Sequence, residues 1–213
     1  QSVFAETYAQ LVGGALKKTD DLERLLNNVQ VPDFGRNSLN RQFQQVAKLI
    51  KLRDELKHER AAFFTSIGGW DTHTSLTPPW GRVEAALAPL ITELKAQGVW
   101  DDVVIVSVSD FGRTMTSNGQ GTDHAWGGNH FVAGGSVKGK RFHGQYPDTL
   151  KPEGDMNLGG RGRLIPYLGW ESLWAPIVEW MGVTPAQMDT VLPNLHYFTK
   201  ANRVIKRSDL FTN

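Results

Sequence analysis

Two continuous apolar runs, separated by a glycine-rich loop of metal-ligand-type side chains, constrain the fold of this chain most. They are DDVVIVSVSD at residues 101–110 and HFVAGGSV at residues 130–137, and a third run, AAFFTSIGG, covers residues 61–69. Short unbroken runs of this kind are typical of parallel strands that are covered on both faces. We therefore predict an α/β fold with a mostly parallel sheet and helices on both faces.

The N-terminal part of the chain predicts two helices that precede this sheet. Residues 2–29 and 38–59 carry apolar side chains at three- and four-residue spacing. The connecting segment VPDFGRNS contains Pro32 and Gly35 as helix breakers, and Asn37 or Ser38 is suited to cap the second helix. The predicted organisation is a helical front at residues 1–60 and a motif-bearing body at residues 61–198.

Two further helices are expected in the body. The stretch GRVEAALAPLITELKAQGVW has helical periodicity and ends near Gly98, and we expect Pro89 to kink this helix or to reset its start. The stretch WESLWAPIVEWMGV at residues 170–183 predicts a closing helix. Residues 144–163 are expected to be irregular, and the tail from Thr184 onward is expected to be mostly loop.

Charge and hydropathy exclude several classes of protein. Lys and Arg number 23 and Asp and Glu 22, so the formal charge is +1. A protein that binds nucleic acid or a membrane surface needs a concentrated basic face. The near balance of positive and negative side chains therefore argues against both partners. The apolar runs are too short to predict a membrane span. The absence of cysteine from the sequence excludes disulfides and thiolate chemistry.

Ligand-type side chains follow two of the predicted strands and lead directly into the third. The motifs are GGWDTH at residues 68–73, SDFGRT at residues 109–114 and GTDHAWGGNH at residues 121–130. Because the carboxyl ends of parallel strands meet at one edge of a sheet, we expect these loops to converge. Carboxylates and imidazoles without cysteine favour a divalent cation such as Zn, Mn, Mg or Ca. The alternative is that the aspartates cap turns. The candidate metal ligands are Asp71, His73, Asp110, Asp123 and His124.

Arg113 is the candidate catalytic residue of the same loops. A guanidinium group binds an anionic ester in a bidentate manner, which suits a residue beside a metal. Pairing of Arg113 with Asp110 or Asp123, to hold the loop, is the alternative.

Five motifs in order resemble the family called domain of unknown function 1501. They are GGWDTH, SDFGRT, GTDHAWGGNHFVAGGSVKGKRFHG, GRGRLIP and VLPNL, and the resemblance covers about residues 61–198, with weaker support in the helical front. That family resembles the alkaline-phosphatase and sulfatase superfamily, whose α/β folds hold two divalent metals beside a nucleophile. The resemblance implies metal-dependent hydrolysis of a phosphate or sulfate ester, an anionic ester as substrate, and an extracytoplasmic or secreted location.

The resemblance also assigns roles to residues. Asp71 and His73 correspond to a pair of ligands of the first metal, and His124 corresponds to a further ligand of the same metal. Asp110 corresponds to an aspartate of the second metal, but Phe111 stands where superfamily members usually have histidine. The Asp and His of the first pair are commonly four residues apart in the superfamily, rather than two.

The superfamily nucleophile follows an early strand, whereas residues 1–60 predict helices. We therefore expect residues 1–213 to form a single domain that is the C-terminal half of a larger alkaline-phosphatase-like domain. An N-terminal segment or another protein chain would complete it, and the isolated chain would hydrolyse esters at no more than trace rates. The alternative function is a non-catalytic structural or assembly subunit that retains the fold.

Overall fold

The computed structural model describes residues 2–74 and 79–212, without the side chains of residues 3–5, 15, 16 and 18. The described residues divide into two units. Unit 1 comprises residues 2–68 and 79–98, and unit 2 comprises residues 69–74 and 99–212.

Unit 1 contains the helices that its sequence predicts, although the second ends at Lys51 instead of near residue 59. Its helices are α1 (Val3–Asn28), α2 (Ser38–Lys51) and α3 (Trp80–Ala96). The Asn37 side chain caps α2 by accepting a hydrogen bond from the Asn40 backbone N–H at 3.0 Å, which confirms one of the two predicted capping residues. Helix α2 packs against α3, and the interior of the unit contains the buried side chains Phe43, Ala47, Leu90 and Leu94.

Helix α3 continues through Pro89 instead of restarting there. Proline has no N–H, so Pro89 leaves the carbonyl of Ala85, four residues earlier, without its helical donor. The buried side chain of Asn40 donates to that carbonyl at 3.3 Å and also donates to the carbonyl of Phe34. A side chain of α2 thus replaces the hydrogen bond that the proline removes.

Replacing Asn40 with alanine is expected to destabilise unit 1 by about 1–3 kcal/mol, because two carbonyls lose their donor in a buried position. The measurement is urea unfolding followed by far-ultraviolet circular dichroism. Asn27→Ala, at an exposed position of α1, is the matched control. Equal unfolding midpoints for the two variants would contradict this account of Pro89.

The predicted buried strand at residues 61–67 is wrong. This segment has no regular secondary structure, and Phe64 is 84% exposed. The amide of Gln42 accepts from the Ser66 N–H and donates to the Ser66 carbonyl, both at 2.8 Å. A side chain on α2 therefore takes the hydrogen bonds that a neighbouring strand would have made.

Unit 2 contains three short antiparallel strand pairs. Strand β1 (Val104–Val106) pairs with β4 (Val132–Gly134), β2 (Gly112–Ser117) with β3 (Thr122–Ala125), and β5 (Asn157–Leu158) with β6 (Arg163–Leu164).

The prediction of a mostly parallel sheet with helices on both faces is wrong. Two of the three apolar runs do form strands, but β1 and β4 are antiparallel to each other. Parallel neighbours need a crossover connection, which is usually a helix. Between β1 and β4 the chain instead forms the β2–β3 hairpin.

The C-terminal part of unit 2 is more helical than its sequence indicated. Helix α4 (Trp170–Trp180) confirms the predicted closing helix, whereas the tail predicted as loop forms three short helices. Thr184 begins the first of these with a capping box that involves Gln187. The three helices are α5 (Pro185–Val191), α6 (Leu195–Lys200) and α7 (Arg207–Leu210).

Helices α4 and α7 form the core of unit 2 together with the β1–β4 pair. Ile177, Ile205, Leu210 and Phe211 are buried, and side chains of β1 and β4 pack against them. Across the described ranges, none of the helices combines the length and the apolarity that crossing a lipid bilayer requires.

Candidate metal centre

The β2–β3 hairpin carries the central residue of the candidate site, His124. Its turn is closed by the Asn118 side chain, which accepts from the backbone N–H of Gly121 at 2.7 Å, and by the Asn118 N–H, which donates to the Gly121 carbonyl at 3.0 Å. Gly119 has a φ of 99°, which the left-handed turn requires. Ser117 pairs with Thr122 beside the turn, and a register shift between Ser117 and Arg113 then puts His124 on β3 opposite Arg113 on β2.

Side chains of this hairpin donate hydrogen bonds to the backbone of the segment that contains Asp71 and His73. The Arg113 guanidinium donates to the carbonyl of Trp70 and, at 2.8 Å, to the carbonyl of Thr122. The Asn118 amide donates to the carbonyl of His73 at 3.2 Å. A Cβ at Gly121 would lie 2.5 Å from that carbonyl oxygen, so glycine permits the close approach of the two segments.

Asp71, His73 and His124 come together at the surface of unit 2. The Asp71 Oδ1 lies 2.7 Å from His124 Nε2 and 3.7 Å from His73 Nδ1, and the three candidate ligand atoms lie within 4.8 Å of one another. The side chains are 66%, 44% and 49% exposed for Asp71, His124 and His73. Three of the five predicted metal ligands therefore form one solvent-accessible cluster.

The carboxylate of Asp71 is held in its ionised form. The hydrogen bond that His124 donates lowers the pKa of Asp71 below its usual value, and this effect outweighs the desolvation that opposes it. Electrostatic interactions with His124, His73 and Arg113 lower the pKa of Asp71 further. An ionised carboxylate is the form that binds a metal cation.

Phe111 orients His124. The two rings stack with their centroids 4.2 Å apart and their planes at 20°. The guanidinium carbon of Arg113 also lies over the Phe111 ring, 5.0 Å from its centroid. Phe111 thus packs directly on a candidate ligand.

The other two predicted ligands, Asp110 and Asp123, lie outside the cluster of three. Asp110 is exposed in the loop between β1 and β2. Asp123 accepts hydrogen bonds from Asn118 and from Arg161, each at 3.0 Å. The Asn118 hydrogen bond is the main cause that lowers the pKa of Asp123. Desolvation opposes it, whereas electrostatic interactions with Arg161, His73 and His124 add to the lowering.

Sequence reasoning missed the roles of Asn118, Phe111 and Arg161 around these ligands. The dipeptide Asn118–Gly119 is a strong hairpin signal, and it would have predicted that the segments on either side of it pair as antiparallel strands. The contact of Arg161 with Asp123 spans 38 positions, and no short motif indicates it.

Arg113 is half-buried and positions the ligand segment. Replacing it with glutamine is expected to weaken Zn²⁺ binding by about 10- to 100-fold, because the backbone beside Asp71 loses its link to β3. Isothermal titration calorimetry with Zn²⁺ measures this, with the exposed Arg163→Gln as the control. Unchanged Zn²⁺ affinity in Arg113→Gln would show that this arginine does not position the cluster.

Comparison with known proteins places the chain in a family. No curated protein and no solved structure has a significant match to it. A family model described as "Protein of unknown function (DUF1501)" matches residues 13–153, which include most of the helical front and end before the GRGRLIP and VLPNL motifs. This match covers more than half of the sequence, so the chain belongs to the DUF1501 family.

Proposed function

We propose that this chain binds one divalent cation through Asp71, His73 and His124 and acts in the hydrolysis of phosphate or sulfate esters. The observation that carries the proposal is the convergence of one carboxylate and two imidazoles within 4.8 Å. The proposal also draws on the motif resemblance to the alkaline-phosphatase and sulfatase superfamily. It does not depend on that superfamily's parallel sheet.

The spacing of the three ligand atoms fits a metal ion. Zinc–ligand bonds of about 2.0–2.2 Å in tetrahedral geometry put neighbouring ligand atoms roughly 3.4 Å apart. The Asp71–His73 separation of 3.7 Å already matches this value, and the Asp71–His124 separation of 2.7 Å has to open slightly. The exposed side chain of Asp71 has room to rotate, and the ligand nitrogens of His73 and His124 lie within 4.8 Å of each other.

The ligand types favour Zn²⁺ among the predicted cations. Two imidazoles suit Zn²⁺ better than Mg²⁺ or Ca²⁺, which prefer oxygen ligands. Two histidines and one carboxylate are also a common ligand set of catalytic zinc sites, in which a further position stays open for water or substrate. A bound divalent cation supplies Lewis acidity and lowers the pKa of a water molecule.

The residues of the chain itself have separable roles in this proposal. Asp71 and the two histidines hold the cation, and Phe111 fixes the ring of His124. Arg113 and Asn118 attach the Asp71 segment to the hairpin. The exposure of the three ligands leaves the cluster accessible to an ester that arrives from solvent. The proposed nucleophile comes from water or from another polypeptide segment.

The test is release of a coloured phenol from aryl phosphates and aryl sulfates, measured with and without added Zn²⁺, Mn²⁺, Mg²⁺ or Ca²⁺. We expect a slow metal-dependent rate that an Asp71→Ala, His124→Ala double variant loses. The exposed Asp110→Ala is the control, because Asp110 lies outside the cluster. Equal rates from wild type and double variant would contradict the hydrolase proposal.

A non-catalytic structural or assembly subunit is the second candidate. It is favoured by the large aromatic side chains that unit 2 exposes, among them Trp126, Phe142 and Tyr146. Zn²⁺ binding by Asp71, His73 and His124 without any metal-dependent turnover would support this candidate over the hydrolase.

A further inference from the structure

We propose that Arg161 binds the anionic group of the ester at the metal centre. This inference rests on the proposed function, and it assigns to Arg161 the role that the sequence motifs suggested for Arg113. It is carried by the hydrogen-bond network that links Arg161, on the β5–β6 turn, to the cluster through Asp123 and Asn118.

Three glycines shape the turn that presents Arg161. Gly159, Gly160 and Gly162 have φ values of 65°, 65° and 73°, which other residues rarely adopt. The Asn157 side chain accepts from the Gly162 N–H at 2.7 Å and closes the turn from inside. Arg161 is therefore held on a defined turn, although the surrounding segment is largely irregular, as predicted for residues 144–163.

A backbone hydrogen bond also joins this turn to the hairpin that carries His124. The Gly162 carbonyl accepts from the Met115 N–H of β2 at 2.9 Å. A Cβ at Gly162 would lie 2.6 Å from that nitrogen, so only glycine allows the two backbones to approach this closely. The position of Arg161 is thus fixed relative to β2 and β3.

Arg161 is linked to the metal cluster through Asp123 and Asn118. The guanidinium donates to Asp123 Oδ2 at 3.0 Å. The Asn118 amide donates both to Asp123 Oδ1 at 3.0 Å and to the carbonyl of His73 at 3.2 Å. Asp123 directly precedes His124, so this network connects Arg161 to two of the three candidate ligands.

The two arginines near the cluster differ in the donors they offer. Arg113 is half-buried and directs two terminal nitrogens at backbone carbonyls, with its plane over Phe111. Arg161 has a 59% exposed side chain and contacts Asp123 through one terminal nitrogen. A guanidinium has five N–H donors, so Arg161 keeps donors for an incoming oxyanion.

Charge balance selects the substrate class. A divalent cation with one carboxylate and two neutral imidazoles retains a net charge of +1, and Arg161 and Asp123 offset each other. The centre therefore attracts an anion. The fork of donors on Arg161 matches the oxygens of a phosphate or sulfate group. The inferred substrate is an ester that keeps a negative charge on its tetrahedral oxyanion group.

The test uses the full chain, Zn²⁺ and phenylphosphonate, which is a stable analogue of an aryl phosphate. Calorimetry first measures Zn²⁺ affinity and then phenylphosphonate affinity of the Zn²⁺-loaded chain. We expect Arg161→Gln to bind phenylphosphonate about tenfold more weakly, which reflects the loss of a charge-assisted hydrogen bond. Its Zn²⁺ affinity should be retained. Arg163→Gln, an exposed arginine of the same hairpin, should stay within about twofold of wild type in both titrations.

The outcomes separate this inference from the proposed function. One contrary outcome is that wild type binds Zn²⁺ but not phenylphosphonate. Another is that phenylphosphonate binds wild type and Arg161→Gln with equal affinity. Either outcome refutes the role of Arg161 and leaves the metal centre standing. If wild type does not bind Zn²⁺, both proposals are refuted.

Discussion

Replacing His124 with alanine is expected to weaken Zn²⁺ binding by about 100-fold or more. Structural zinc sites with four ligands bind with roughly 10–16 kcal/mol, or about 3 kcal/mol per ligand, and 1.4 kcal/mol corresponds to a factor of ten. His124 is one of three ligands in the proposed centre. Its loss therefore removes one third of the protein ligands.

Calorimetric titration with Zn²⁺ at pH 7 measures this effect. His58→Ala is the matched control, because His58 is an exposed histidine of unit 1. Its Zn²⁺ affinity should equal that of wild type. A similar loss in both variants would indicate diffuse binding of Zn²⁺ by histidines across the surface.

The largest effect on stability is expected from Phe211→Ala. Phe211 is 1% exposed, stacks on Trp180 with centroids 5.4 Å apart, and packs among Ile177, Ile205 and Leu210. Truncating a buried phenylalanine leaves a cavity and costs about 3–5 kcal/mol. We expect the free energy of unfolding of unit 2 to fall by that amount.

Tryptophan fluorescence during urea unfolding reports on this unit, because every tryptophan except Trp80 lies in it. Phe142→Ala is the control, since Phe142 is 63% exposed and its truncation should cost less than about 1 kcal/mol. If the two variants unfold at the same urea concentration, Phe211 does not contribute to the core as described.

The helical parts of the fold were predictable, because their signals are local. Three- and four-residue spacing predicted α1, α2, α3 and α4. The arrangement of the strands was not predictable. An apolar run indicates a buried strand, but it carries no information on the direction of the neighbouring strand. The Asn118–Gly119 turn was the missed local signal for an antiparallel hairpin.

The candidate site was predicted in part for a similar reason. Asp71, His73 and His124 are ligand-type residues in glycine-containing motifs, and the structure brings them together although the predicted sheet is wrong. The links made by Arg113 and Arg161 depend on tertiary contacts to Trp70 and Asp123. Contacts between distant positions leave no pattern in a single sequence.

X-ray absorption at the zinc edge tests the central claim most directly. For the chain loaded with one equivalent of Zn²⁺, we predict a coordination shell with two imidazole nitrogens at about 2.0–2.1 Å and carboxylate or water oxygens in the remaining positions. In His124→Ala loaded the same way, one imidazole should be lost. A zinc spectrum without imidazole scattering, or one that is unchanged in His124→Ala, would contradict the metal centre formed by Asp71, His73 and His124.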